Sequence, residues 1–259
     1  MNIAIIGGTG MDEMPEFNSG KAELVCTRFG EATVLRGTFG GGVLYFVPRH
    51  GSNHATPPSQ INYRAQIAAL KKLRVDAVIG VCAVGSLRGN IVPGSFAVLG
   101  DFIDVTRRRA CTFFDDPGGP LAHTDFTEPY CPRVSQALTD ACYQTGGDCR
   151  PNAVYVGVDG PRYETPAEIR LYAAWGGDVI GMTNVPEVML AREAGLCYGA
   201  IGVVTNPAAG SGTSPIGHDD VRSAVARAGP RLHAVLRSAL EALGDGGQCS
   251  CGVNISLSL

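Results

Sequence analysis

Three segments place small or basic residues where a phosphate-sized anion can be gripped. Gly7-Gly8-Thr9-Gly10 follows an apolar run; its glycines let backbone N–H groups approach an anion, and Thr9 adds a hydroxyl donor. On its own the turn also fits a tight bend, and it lacks the Gly-x-Gly-x-x-Gly spacing of a dinucleotide site. Pro48-Arg49-His50-Gly51 ends a second apolar run, where an Arg fork suits phosphate oxygens. Standing alone, it reads equally as a surface Arg and a solvated His. Val81-Cys82-Ala83-Val84-Gly85-Ser86 is a third run entering a small-residue turn.

A different chemistry is suggested further along. Asp159-Gly160-Pro161-Arg162-Tyr163-Glu164-Thr165 sets an aromatic face beside a carboxylate. That pair suits a flat heteroaromatic ring, stacked on Tyr163 and held in plane by the acceptor Glu164. The same residues also fit a helix start with an acid in its first turn. Gly181-Met182-Thr183-Asn184-Val185-Pro186-Glu187 and Thr205-Asn206-Pro207-Ala208 complete the set. Met182 is also an ordinary core residue, and an Asn before Pro an ordinary turn former.

These residues need elements to converge them. Short apolar runs at 3–6, 43–47, 77–84, 96–99, 154–158, 179–182 and 198–204 read as buried strands. Helical periodicity fills 58–73, 132–145, 165–175, 185–194 and 218–243. The alternation predicts an α/β fold: a single domain with a central, largely parallel twisted sheet flanked by helices. Such sheets gather ligands at strand carboxyl ends, where all of these loops fall. The domain is expected over 1–243, with 244–259 as a flexible C-terminal tail.

Composition narrows the classes of function. Charged residues are 17% of 259 and the net charge is −3, which argues against nucleic acid or an anionic membrane as partner. No apolar run is long enough to span a bilayer, and the N-terminus lacks the basic region of a signal peptide, so a cytoplasmic location is expected. Nine cysteines are an odd number and are read as reduced thiols. A bridge within Cys249-Ser250-Cys251 would be strained and easily reduced. No Cys-x-x-Cys pair or His cluster has zinc-site spacing, so no metal is expected.

Taken in order, Gly-Gly-Thr-Gly, Arg-His-Gly, Ala-x-Gly-Ser-Leu, Gly-Pro-Arg-Tyr-Glu-Thr-x-Ala-Glu and Met-Thr-x-Val-Pro-Glu resemble the trimeric purine nucleoside phosphorylase and methylthioadenosine phosphorylase family, over about residues 3–240. The resemblance implies a phosphate site of Thr9, Arg49, His50, Cys82, Ala83 and Thr183. Where this chain has Cys82, the family usually carries Thr, Ser or Asn; a thiol is a weak donor, which leaves its backbone N–H to serve. Met182 is implied under the ribose, Tyr163 at the base, and His123 as a residue donated across a subunit interface. A homotrimer or hexamer follows from that likeness. No cofactor is implied, inorganic phosphate being a co-substrate.

The base-reading positions refine this. Relatives that cleave 6-amino purines resemble one another in having Asp where this chain has Asn206, a second acid where it has Ala208, and often Ser where it has Glu164. A 6-oxopurine offers N1–H to a carboxylate and O6 and N7 to an amide donor, so Glu164 and Asn206 suit inosine or guanosine. His218 falls where methylthio-specific relatives place an aliphatic residue, and it suits a 5′-hydroxyl. Val221 still offers apolar surface, which keeps 5′-methylthioinosine and 5′-methylthioadenosine open. The catalytic set expected is Asn206, Glu164 and Arg49. The rival readings are a nucleosidase that uses water and a non-catalytic purine-binding protein.

Overall fold

The computed structural model describes residues 1–8, 14–17, 20–51, 55–119, 121–210, 217–244, 247 and 249–251, with the side chain of His218 outside the description. Its strands are β1 (Asn2–Gly7), β2 (Lys21–Thr27), β3 (Gly30–Phe39), β4 (Gly42–Pro48), β5 (Ala77–Ser86), β6 (Phe96–Asp104), β7 (Cys149–Gly157), β8 (Val179–Gly181) and β9 (Cys197–Pro207). The helices are α1 (Tyr63–Lys72), α2 (Pro132–Gln144), α3 (Pro166–Ala174), α4 (Asn184–Glu193) and α5 (His218–Gly244).

All seven expected strands are present. The hairpin β2–β3 is additional, and its signal is weaker for a physical reason. Ala32 and Val34 are buried while Glu31 and Thr33 are exposed, so only one face carries apolar residues. Charged Lys21 and Glu23 on β2 blunt the sheet edge.

The sheet is mixed rather than largely parallel. Parallel pairs join β1 to β4 and β5, β5 to β9, and β7 to β6 and β8. Antiparallel pairs are β2–β3, β3–β4, β5–β8 and β6–β9. Pairing runs β5–β8–β7–β6–β9 and back to β5, so these five strands close on themselves. Closure requires β9 to meet β6 in the opposite direction, a pairing that apolar runs alone do not encode.

Both faces of the sheet are covered, which explains the continuous apolar strands. Ala4 and Ile6 pack in one core with Ile67 and Leu70 of α1 and Val188 and Leu190 of α4. Ile3 and Ile5 face the other core, with Val134 and Leu138 of α2 and Val235 and Leu236 of α5. Strands β1, β4, β5 and β9 are mutually parallel, so Gly7, Pro48, Ser86 and Pro207 emerge on one side. The pairing Gly85↔Ile180 turns the end of β8 back beside β5 and delivers Met182 and Thr183 to the same side. After α5 the chain returns to the body: Cys251 is 3% exposed against the second core, so the segment beyond 244 is not a free tail throughout.

Candidate active site

A cavity of about 1910 Å³ opens over these strand ends. Its floor includes Gly8, Arg49, His50, Cys82, Ala83 and Thr183. Its other wall holds Tyr163, Glu164, Met182, Asn206, Ala208 and Val221. The two groups of residues expected from separate loops therefore share one space. Thr9 lies outside the described residues, as does the His218 side chain. His123 is exposed and is not part of this wall.

Arg49 is a buried cation in this floor, only 2% exposed, and its fork is already heavily engaged. Nε and Nη2 donate to Glu187 at 2.7 and 2.9 Å, Nη1 donates to Val81 O at 2.7 Å and Nη2 to Ile6 O at 3.1 Å. Four of the five guanidinium N–H donors are thereby used. Burial disfavours the charge of Arg49, but the Glu187 carboxylate more than offsets this and holds the group above the ordinary arginine range. The bidentate phosphate fork expected from sequence is thus corrected. Arg49 can offer an anion one N–H and its charge, while most of its donors organise the protein.

Glu187 is the functional residue whose role the sequence analysis missed. It is 1% exposed within α4 and also accepts from the Tyr198 hydroxyl at 2.7 Å. The chain continues: Asn184 Nδ2 donates to Tyr198 Oη at 2.8 Å, and Tyr130 Oη donates to Asn184 Oδ1 at 2.5 Å. Gly80 on β5 makes room for this network, since a β-carbon there would overlap the Tyr198 hydroxyl. An acid flanked by Val185, Pro186, Val188 and Met189 was the available signal, because a buried carboxylate requires a cation.

The remaining floor residues are held through their backbones. Gln66 Nε2 of α1 donates to Arg49 O at 2.9 Å. His50 Nδ1 lies 2.9 Å from Thr56 O. Tyr155 Oη accepts from Thr183 N at 3.1 Å and Asn184 N at 3.3 Å. Cys82 packs in the core with Sγ 3.9 Å from Ile201 O, and burial pushes its thiol up to about 12. It is a neutral wall rather than a nucleophile.

The base-facing loop carries its own clamp. Thr165 and Glu168 form a capping box at the start of α3. Arg162 closes it from outside, donating to Glu168 at 2.7 and 2.8 Å, and Glu168 falls to about 2 under those bonds and the Thr165 N–H. Gly160 has φ +62°, and a β-carbon there would overlap Met182 Sδ. Tyr163 and Glu164 are thus presented from a fixed turn. Burial raises the Glu164 carboxyl above its ordinary value.

Asn206 has a defined amide orientation. Nδ2 lies 2.7 Å from Pro207 O, which can only accept, so the nitrogen must face it. Oδ1 then accepts from the Thr205 hydroxyl at 2.7 Å. One Nδ2 hydrogen is left to donate elsewhere.

Breaking the Arg49–Glu187 pair should affect stability and phosphate together. Arg49→Ala leaves a buried carboxylate without its cation, a change that costs about 3–5 kcal/mol. Chemical denaturation should register that loss alongside a raised KM for phosphate; a stability unchanged within error would show the pair to be unimportant.

Comparison with known proteins agrees with this arrangement. The profile described as "Phosphorylase superfamily" matches residues 2–241. A protein of Moorella thermoacetica named as a probable 6-oxopurine nucleoside phosphorylase is 43% identical over 98% of this chain and 97% of its own. A probable S-methyl-5′-thioinosine phosphorylase of Methanopyrus kandleri is 38% identical over 96% of this chain and 95% of its own. The structure of methylthioadenosine phosphorylase from Schistosoma mansoni with adenine superposes with a TM-score of 0.89 at 32% identity, covering 95% of this chain and 93% of that one. With a profile that spans nearly the whole fold and relatives this similar along their full lengths, the chain belongs to the phosphorylase superfamily.

Proposed function

We propose that this chain is a purine nucleoside phosphorylase acting on 6-oxopurine nucleosides, inosine or guanosine. The observation that carries the reading is the amide of Asn206. Its orientation leaves one N–H available to donate, and Asn206 lines a cavity whose wall also holds Glu164. A donor for O6 and N7 and an acceptor for N1–H are the set a 6-oxopurine requires. Adenine still accepts at N7, but its unprotonated N1 leaves the carboxylate without a donor and its 6-amino group meets an amide N–H, at about 1–3 kcal/mol for each buried group left unsatisfied.

The chemistry follows from where charge develops. Phosphate, held by Thr9, His50, Ala83 and Thr183 with the charge of Arg49 beneath, attacks C1′ of the ribose. A phosphate oxygen–C1′ bond forms, the C1′–N9 bond breaks, and its electron pair passes to the purine. Asn206 and Glu164 stabilise the departing electron-rich base, while Met182 supports the oxocarbenium-like sugar. The purine leaves as its anion and takes up, through solvent, the proton that hydrogen phosphate gives up on forming the ester. The products are free base and ribose 1-phosphate, with no covalent intermediate and no organic cofactor.

A second reading, 5′-methylthioinosine, is favoured by Val221, which adds apolar surface to the same cavity. His218 would favour a 5′-hydroxyl instead. A nucleosidase is disfavoured because the floor gathers anion-binding loops around a cation. The trimer reading rests on the family resemblance at His123, which is exposed in the single chain.

Base release from inosine, guanosine, adenosine, 5′-methylthioadenosine and 5′-methylthioinosine, with and without phosphate, tests the assignment. Release should require phosphate and favour oxopurines. Asn206→Asp should move the inosine-to-adenosine ratio of kcat/KM towards adenosine at least tenfold, an effect of about 1.4 kcal/mol; an unmoved ratio removes Asn206 as a base reader.

The raised Glu164 carboxyl sets a pH dependence. The charged form accepts N1–H strongly, and protonation removes that charge-assisted bond. Since burial favours the neutral form, kcat/KM for inosine should fall with decreasing pH earlier than an ordinary carboxylate would dictate. Glu164→Gln should lower the plateau and abolish this acid limb. An unchanged limb would assign it to another group.

Light scattering at assay concentration should find a trimer or a multiple of it. A fully active monomer would overturn the role given to His123.

A further inference from the structure

Four of the nine cysteines, all of them free thiols, converge at the far end of the sheet from the cavity. They come from three separate stretches: Cys131 immediately before α2, Cys197 at the start of β9, and Cys249 and Cys251 beyond α5. Their Sγ atoms all lie within 4.8 Å of one another, and Cys197 and Cys249 approach to 3.1 Å. Cys131 and Cys251 are buried, at 1% and 3% exposure.

The geometry points to a structural zinc site formed by Cys131, Cys197, Cys249 and Cys251. Zinc bound to four thiolates at about 2.3 Å places the sulfurs about 3.8 Å apart at tetrahedral corners. The cluster brackets that spacing, with one pair at 3.1 Å and none beyond 4.8 Å. A cage this small has no room for a multi-iron cluster, and an all-sulfur tetrahedral set selects a soft or borderline cation. Because all four positions are taken by protein, no site remains for water or substrate, which is the mark of a structural rather than catalytic ion.

The surroundings fit that role. Cys131 N donates to Tyr198 O at 2.7 Å, so the backbones beside the first two ligands are locked together before the others arrive. Cys249 and Cys251 lie on the returning C-terminal segment, which can adjust to the ion. Four thiolates and one zinc carry a net charge of −2. Arg133, in the first turn of α2, runs beneath Gly247, where a β-carbon would meet its Cδ at 2.7 Å. The Arg133 side chain hydrogen-bonds to Cys197, which sets a cation beside the cluster. A cation hydrogen-bonded to a ligating sulfur orients it and offsets part of the thiolate charge.

The site would staple the C-terminal segment to α2 and β9, on the side of the sheet remote from the nucleoside. Cys197 and Asn206 are nine steps apart on one strand, about 30 Å at ~3.3 Å per residue. Spacing along the sequence conceals the arrangement, which is why no metal was expected from it: only the short Cys-x-Cys step is local.

The full chain, grown with zinc and purified under reducing conditions, should carry one zinc per chain by elemental analysis. Titration with a mercurial should release the one zinc as four thiolates are converted to mercaptides. Replacing zinc with cobalt should produce the sulfur-to-metal charge-transfer band and intense visible bands of a tetrahedral four-thiolate site. Cys131→Ser and Cys251→Ser should lose the metal and lower Tm by several degrees, while kcat/KM measured well below that Tm stays within twofold. Cys26→Ser, at an exposed thiol outside the cluster, should retain zinc. The assignment is overturned by zinc-free protein with no cobalt band after reconstitution, by iron in its place, or by two disulfides among these cysteines under the same conditions. Metal content and the cobalt spectrum of the wild-type chain decide this even if the serine variants fail to fold, and independently of the substrate assignment.

Discussion

A cation and an anion with almost no access to water, Arg49 and Glu187, tie the floor of the cavity to the sheet beneath it. Removing two charges from water is expensive, and the pair recovers that cost only because nearly every polar atom is matched. The carbonyls of Ile6 and Val81 take two of the three guanidinium hydrogens that Glu187 does not, and the Tyr198 hydroxyl donates to the same carboxylate. Ends of β1, β4 and β5 and the first turn of α4 are therefore fixed relative to one another by one network. The anion-binding loops inherit their positions from it. A loop of glycines could not hold that geometry by itself, because its conformational freedom is the property that lets it approach a ligand.

The opposite wall is organised by a different device. The loop proposed to read the base is short and only partly buried, so burial alone does not fix it. The α3 capping box and the Arg162 fork supply order locally, through charge-assisted bonds that close within seven residues. This division has a chemical logic. Phosphate needs a deep, fixed positive potential, whereas the purine must enter and leave past a wall that can remain near solvent. Floor and wall can then be stabilised by separate means without competing for the same residues.

Much of this was legible from residue order, for identifiable reasons. Strands buried on both faces show as unbroken apolar runs, so β1, β4, β5 and β9 and the loops after them could be placed. The β2–β3 hairpin escaped because one face is wet and its alternation is interrupted by charge. Glu187 was read only as part of a motif, since an acid in a helix is ordinarily solvated and its partner lies 138 residues away. Arg49 does line the cavity, but most of its donors are spent within the protein and not on a ligand fork. Residue type announces that a guanidinium can fork around oxygens, but not whether those oxygens belong to a ligand or to the protein. The direction of β9 against β6 was equally hidden, because closure of the strand ring is a property of pairing and not of hydrophobicity.

Strand β9 joins two regions with unrelated demands. Its first residue, Cys197, belongs to the thiol cluster and its penultimate residue, Asn206, to the base-reading wall. Between them run eight residues, all buried, that pair with β5 along most of the strand. Substitutions further apart than about 7–10 Å with no shared partners combine additively. The two ends of the strand therefore constitute independent sites of variation: one lineage can exchange its base preference while another hardens or relaxes its C-terminal anchorage, and neither change constrains the other. A fold arranged in this way can be moved between temperatures and between nucleosides by separate steps, in either order.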